Sequence, residues 1–350
     1  MSLGAERAEG LAMLRASVAA VVPPGGDLRR VRALRFQPPG FDPATWRRMG
    51  EMGWIGLRVP EAEGGSGLGM AELCALAEAL GAGLAPEPIV PGILAACLLP
   101  RAEVLAGERI VLPAWQERAD TLDVGCGTTL AAGRVSGTKL FVPMAGGADA
   151  FLVFAQGGLA LVEARAPGVA VGLAATQDGG TFGTVRFDGA PAEPVPGDPA
   201  LPIEEATLAT AAMLLGLMEG CFALTLGYLR ARKQFGRPIG SFQALQHRAA
   251  DLKLQVALSR ASIEAAAATL DAGAPLAACR AAVSRAKARA TDAALLVTRQ
   301  SIQLHGGIGY TDEYDAGLYL RRAMVLANGF GSAKMHRARY AAAAPEDDDD

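Results

Sequence analysis

The sequence predicts an α+β multidomain chain in which a helical segment, a segment of short strands and a second helical segment follow one another. Three changes of period carry that reading. Apolar residues recur at helical spacing from about residue 41 to 99, at alternating spacing from about 110 to 198, and at helical spacing again from about 203 onward. At 350 residues the chain is also long for one core, so two or three domains are expected.

The first helical stretch opens at Asp42-Pro-Ala-Thr-Trp46, with Asp42 placed as a cap and Pro43 at the first helical position. Met49, Met52 and Trp54 carry its apolar side. Met70 to Gly81 reads as another helix, with Leu73, Leu76, Ala77 and Leu80 on one face and Gly81 closing it. The middle stretch holds Phe151–Phe154, Leu159–Val162, Val169–Val171 and Thr184–Phe187. Gly157-Gly158, Pro167-Gly168 and Asp178-Gly-Gly180 punctuate these runs, the pattern of an antiparallel barrel or sandwich. In the last stretch Leu208, Ala212, Leu215, Met218, Phe222, Leu226 and Leu229 recur at three- and four-residue steps. Phe242 to Leu270 repeats the habit, Asp271–Pro275 breaks it, and an Ala-rich helix from Leu276 runs to His305 and meets Gly306-Gly307. Long helices with short connections imply an antiparallel bundle. The expected boundaries are 1–105, 106–200 and 201–343, with an acidic solvated tail at 344–350.

Composition excludes several classes. With 51% hydrophobic and 20% charged residues the chain is globular, and a net charge of −3 offers nothing to nucleic acid or an anionic membrane. No apolar run of eighteen residues escapes interruption by a charge or a glycine, and the N-terminus lacks a secretory pattern. Five scattered cysteines without a CxxC pair read as reduced thiols of a cytoplasmic protein, and no His or Cys spacing suggests a metal.

The glycine cluster Glu63-Gly-Gly-Ser-Gly-Leu-Gly69 mimics a dinucleotide-binding turn, but its spacing is not GxGxxG and no βαβ unit surrounds it; it reads as a tight turn between helices. Arg232-Lys-Gln-Phe-Gly236 ends an apolar helix, where a guanidinium can fork onto a pyrophosphate and Phe235 can pack on a flat ring. The plainer reading of Arg232 is a complement to the helix dipole. Gln303-Leu-His-Gly-Gly307 places an amide beside paired glycines that let a ligand approach closely, although alone it is an ordinary glycine cap. His305 alone reads as a packing histidine.

Two longer stretches, Arg232-Lys-Gln-Phe-Gly-Arg-Pro-Ile-Gly-Ser-Phe-Gln243 and Gln303-Leu-His-Gly-Gly-Ile-Gly-Tyr-Thr-Asp-Glu-Tyr314, together resemble the FAD-dependent acyl-CoA dehydrogenase family. The resemblance extends to Trp46–Glu61 and to Gly137–Val142, and so over nearly the whole chain. It implies an N-terminal helical domain, a middle antiparallel β-barrel and a C-terminal four-helix bundle. It also implies FAD, an acyl-CoA thioester substrate, and an electron-transferring flavoprotein as acceptor. In the family the bundle of one subunit holds the pyrophosphate and adenosine of its neighbour's flavin. The matching positions are Arg232, Phe235, Gln243, Gln303, Gly306 and Gly307.

The flavin-ring half of the resemblance fails. The family's Thr-Glu-Pro-Gly-Ala-Gly-Ser-Asp loop is replaced by Ala114-Trp-Gln-Glu-Arg-Ala-Asp120, Phe141 stands where tryptophan is usual, and Pro143 stands where a threonine is usual. The catalytic glutamate aligns with Phe330, whose ring cannot accept a proton. An alternative base position of the family falls on Ala206, one residue from Glu205, while Glu204 and Glu205 read as residues that stabilise a helix N-terminus. The resemblance therefore implies a subunit that works with a homologous, base-bearing subunit in a hetero-oligomer. A self-sufficient homo-oligomer using Glu205 and a non-catalytic scaffold are the alternatives.

Overall fold

The computed structural model describes residues 3–23 and 26–343; the expected acidic tail, 344–350, lies outside them. The chain forms two compact units, one built from Arg29–Gly69 and Pro86–Ala206, the other from the first helix, Met70–Ala85 and the segment from Thr207 onward.

In chain order the N-terminal helices are α1 (Leu3–Ser17), α2 (Arg29–Leu34), α3 (Pro43–Glu51), α4 (Met70–Ala82), α5 (Ile89–Leu98) and α6 (Ala102–Leu105). The cap expected at Asp42 is formed: its carboxylate accepts from the N–H groups of Ala44 (3.0 Å) and Thr45 (3.3 Å), leaving Pro43 where a missing donor costs nothing. Trp46 of α3 is buried against α5, where a Cβ on Gly92 would stand 2.2 Å from the indole.

Eight strands follow: β1 (Val111–Ala114), β2 (Thr129–Ala131), β3 (Arg134–Pro143), β4 (Ala150–Ala155), β5 (Gly158–Glu163), β6 (Val169–Ala175), β7 (Thr181–Pro191) and β8 (Glu193–Val195). They make two four-stranded sheets, ordered β1-β4-β5-β8 and β2-β3-β7-β6. The expectation of a closed antiparallel barrel is corrected here. β1 and β4 pair in parallel, from Val111 with Ala150 to Ala114 with Val153, because the chain leaves β1 for the second sheet and returns to lie beside it. Among the described residues both sheets keep open edges, and an isolated bridge between Thr129 and Gln156 ties them. β4 and β5 are buried along nearly their whole length, and Phe151 meets Phe187 edge-on at 6.3 Å.

The remaining elements are α7 (Ala200–Ala231), β9 (Lys233–Gln234), β10 (Arg237–Pro238), α8 (Gln243–Asp271), α9 (Leu276–His305), α10 (Ala316–Leu326) and α11 (Ala333–Ala343). In the helical unit α9 is central, packing on α8, α10 and α11, while α4 packs on α1 and α8. The helical domain is thus larger than a bundle of four. α7 is long and apolar enough to cross a membrane by length and composition, yet 78% of its apolar window is buried inside the chain, so core packing accounts for its apolarity.

Gly81 does not end α4, which runs to Ala82; it lies where α7 passes. A Cβ there would stand 2.2 Å from the Met213 carbonyl oxygen, and one on Gly216 would stand 1.8 Å from that of Glu78. The backbones of α4 and α7 therefore touch. Arg260 of α8 clamps the pair from outside, donating to Glu78 (2.8 Å) and Glu219 (2.7 Å).

Candidate functional site

At the end of α7, Arg232 donates its N–H to the Tyr228 carbonyl (2.8 Å) and the chain enters the hairpin of β9 and β10. The two central residues, Phe235 (φ 52°) and Gly236 (φ 78°), are both left-handed, the geometry that a tight two-residue hairpin demands. Glycine takes it freely; phenylalanine pays about 1–2 kcal/mol. For that strain Phe235 stands 91% exposed at the tip, edge-on to Phe242 at 6.1 Å, while the Arg237 guanidinium lies 4.2 Å over the Phe242 ring. Gln243 follows as the exposed first residue of α8. The hairpin was not foreseen from sequence, although Phe-Gly between Lys233-Gln234 and Arg237-Pro238 is a readable turn signal.

At the end of α9, Gly306 turns left-handed (φ 64°) and donates its N–H to the Gln303 carbonyl. A Cβ on Gly306 or Gly307 would meet nothing within 4 Å. Gly307, with no left-handed φ, thus has no internal reason to lack a side chain; close approach from outside would supply one. His305 joins the two ends. Its ring lies 4.6 Å from Tyr228 and 4.8 Å from Tyr314, and its Nδ1–H donates to the Ser301 carbonyl (2.7 Å). Burial holds its pKa below the usual 6.5, against the raising effect of that hydrogen bond.

The fold therefore gathers Arg232, Phe235, Gln243, Gln303, Gly306 and Gly307 at one end of the helical unit, and all six are exposed. No acidic residue occurs between Glu219 and Asp251, a stretch that holds Arg230, Arg232, Lys233, Arg237 and Arg248. Such an end is suited to an anion and to a flat ring.

Phe330, by contrast, is buried (8% exposed) and left-handed (φ 54°). Its carbonyl accepts from His336 Nε2 at 2.8 Å, which leaves Nδ1 to accept from the Ser284 hydroxyl at 3.2 Å. The next carbonyl, of Gly331, accepts from Lys287 Nζ at 3.0 Å. That fully buried ammonium also donates to the carbonyls of Leu326 (3.4 Å) and Ala327 (3.1 Å) at the end of α10. The turn that carries Phe330 is fastened from within by α9 and α11.

In the sheet unit, Ala114–Asp120 is stitched onto β3. Leu140 donates its N–H to the Gln116 carbonyl (2.7 Å), and the buried Lys139 ammonium donates to the Trp115 carbonyl (3.2 Å) and to Glu117 Oε1 (2.6 Å). Desolvation pulls the Lys139 pKa down, and Glu117 opposes it. Burial pushes on Glu117 in the other direction, but the Lys139 and Thr128 hydrogen bonds outweigh it and hold that carboxyl below its usual range. The β3–β7 register breaks between Lys139 and Val142. There Phe141 is left-handed (φ 56°), 41% exposed and edge-on to Phe182 at 6.1 Å; Pro143 pairs with Phe182.

Glu205 is buried and bound to the guanidinium of Arg58, which also donates to the Leu68 carbonyl (2.6 Å). Burial and the Glu205 charge push the Cys97 thiol up to about 12. The expectation that Glu204 and Glu205 stabilise a helix N-terminus is corrected: α7 begins at Ala200, whose N–H is taken by Asp198 (2.9 Å), so both glutamates lie beyond the first turn. The missed cap was an ordinary Asp two residues upstream.

Comparison with known proteins bears on the fold and the family. Residues 8–100 match the model of the N-terminal domain of acyl-CoA dehydrogenases, and residues 202–344 match that of the C-terminal domain. The chain is 34% identical to the acyl-CoA dehydrogenase IpdE2 of Mycobacterium tuberculosis, over 89% of this chain and 90% of that one. Among solved structures it is similar to a variant of the Tcur3481–Tcur3483 steroid ACAD, with 30% identity, a TM-score of 0.87, and coverage of 96% of this chain and 98% of that one. It is also similar to a chain of the ChsE4–ChsE5 complex of Mycobacterium tuberculosis, with 28% identity, a TM-score of 0.84 and coverage of 98% and 97%.

Proposed function

The chain belongs to the acyl-CoA dehydrogenase family, an oxidoreductase family acting on CH–CH groups, and from that premise we propose that it is the base-lacking subunit of a hetero-oligomeric enzyme. Its partner is a homologous subunit that carries the glutamate. The observation that carries this reading is Phe330: the site of the base holds a buried phenyl ring whose backbone is fastened by His336 and Lys287, so no carboxylate stands there and the turn has little freedom to bring one.

The exposed end of the helical unit supports the other half of the reading. Arg232 would fork onto the pyrophosphate of the partner's FAD, with Phe235 against its flat rings. Gln303 would supply a donor and an acceptor to the adenosine, with Gly306 and Gly307 letting it close in and Gln243 at its margin. The open space over both glycines and the basic, acid-free run of sequence from 220 to 250 fit such a ligand. FAD held there would supply a hydride acceptor for the acyl β-carbon, and the partner's carboxylate would serve as the acceptor of the α-proton. This chain's own residues bind and orient; they move no proton. An electron-transferring flavoprotein in the cytoplasm would be the electron acceptor. Similarity to a steroid ACAD favours a CoA thioester of a steroid-derived acid as substrate.

Glu205 as an autonomous base is disfavoured by its surroundings: the carboxylate is buried and its Oε1 is already taken by the Arg58 guanidinium. Co-expression with a glutamate-bearing homologue tests the proposal. A mixed oligomer with one FAD for every two chains, active only as the mixture, is the expected result. A stable homo-oligomer with one FAD per chain would overturn it.

A further inference from the structure

β6 is the last strand of its sheet, and among the described residues no strand lies on its outer side. From Ala170 to Ala175 every residue is exposed, Val171 and Leu173 included. Exposed edges normally carry a lysine, a proline or a bulge that blocks further pairing. This one carries none: Val169-Ala-Val-Gly-Leu-Ala-Ala175 is uncharged, and the seven residues stay in unbroken register with β7.

The direction of the free backbone groups follows from the hairpin's two ends. Asp188 N–H donates to the Gly168 carbonyl (2.8 Å), and Thr176 N–H donates to the Gly180 carbonyl (2.9 Å). Antiparallel pairs alternate between bonded and non-bonded, so Ala170, Gly172 and Ala174 also face β7 with their backbone groups. Val171, Leu173 and Ala175 therefore turn theirs outward. The strand is also nearly symmetric about Gly172, with Val171 against Leu173, Ala170 against Ala174, and Val169 against Ala175.

We infer that β6 pairs antiparallel with β6 of a second copy of this chain, across a two-fold axis at Gly172. In that register Val171 and Leu173 of one copy exchange backbone bonds with Leu173 and Val171 of the other, which is the parity that the outward groups require. The same two positions place Val against Leu on one face at both ends of the axis, and no like charges meet. Two open four-stranded sheets become one continuous sheet. The strip is short against the roughly 1,200–2,000 Å² that a stand-alone interface buries, so the pairing is reversible and concentration-dependent. This contact goes beyond the proposed function and is independent of any flavin or glutamate-bearing partner.

Cysteine placement tests it. At a non-bonded antiparallel pair the Cα atoms lie about 4.5 Å apart, within disulfide range. A Cβ on Gly172 meets only the Thr184 carbonyl, at 3.9 Å, so Gly172→Cys should fold. In a Cys126→Ser background, which removes the exposed native thiol, mild oxidation of Gly172→Cys should give a covalent dimer. Ala170→Cys alone should not, whereas Ala170→Cys mixed with Ala174→Cys should. Absence of the Gly172 cross-link, equal cross-linking by Ala170→Cys alone, or cross-linking to a co-expressed homologue in place of the second copy would overturn the inference. Sedimentation gives a second arm. Val171→Lys should raise the dimer dissociation constant about tenfold or more, and an unchanged constant would equally overturn it.

Discussion

Phe330 holds a left-handed backbone that few residues choose, and its carbonyl is the one His336 binds. The turn is therefore held by its backbone and by His336, with no carboxylate taking part. Phe330→Glu in the lone chain should restore little turnover, because on the proposed reading Pro143 and the Ala114–Asp120 loop remain in place of the family's flavin-ring residues. Flavin bleaching by acyl-CoA should stay about 10²–10⁴-fold below that of the mixed oligomer. At the exposed end, Arg232→Ala should weaken FAD retention in the assembled oligomer by about 1.5–3 kcal/mol, the worth of a charge-assisted hydrogen bond; full flavin content with unchanged affinity would remove Arg232 from the site. His305 makes a prediction about acid. Its folded pKa lies below 6.5, so the unfolded chain takes up the proton first. The stability it contributes is complete above pH 6.5 and shrinks as pH falls from there toward the folded value. Thermal midpoints measured from pH 8 to pH 5 should fall more steeply for the native chain than for His305→Gln. Parallel curves would show that another group governs the response.

Among the elements, those with a strong local signal were legible. Asp42-Pro43 announced α3 because a carboxylate cap and a proline at the first position suit a helix start whatever lies around it. α9 and its Gly306 terminus were equally plain. Gly81 was read as a helix end, and it is a contact point with α7, since a glycine that ends a helix and one that admits a neighbour look alike until the neighbour is placed. That contact predicts a cost. Gly216→Ala would drive a Cβ to within 1.8 Å of the Glu78 carbonyl, so it should destabilise by about 1–3 kcal/mol or more and lower the thermal midpoint. Gly227→Ala on the same helix, where a Cβ meets nothing within 4 Å, should be nearly neutral. Strand runs and turn spacing left barrel and sandwich open, and the family resemblance implied the barrel; the long-range pairings, which leave two four-stranded sheets with unpaired edges among the described residues, decided against closure.

On the scale of the whole molecule, the purified chain alone should show no acyl-CoA oxidation, and activity should follow the fraction of mixed oligomer as a glutamate-bearing homologue is titrated in. Turnover by the lone chain that Glu205→Gln abolishes would favour a self-contained enzyme. The order of helices, strands and helices, the family, and the absence of a carboxylate at residue 330 were determined by the sequence itself. Those are matters of periodicity and of side-chain identity at positions near one another in the chain. The meeting of Arg232 with Gln303–Gly307 through Tyr228 and His305 is a different matter, because it joins residues some seventy positions apart. So are the capture of Glu205 by Arg58, the internal bonding of the Phe330 turn by Lys287 and His336, and the bare edge of β6. Each depends on which partner arrives through space, and only the packed chain brings those partners within hydrogen-bond or van der Waals reach.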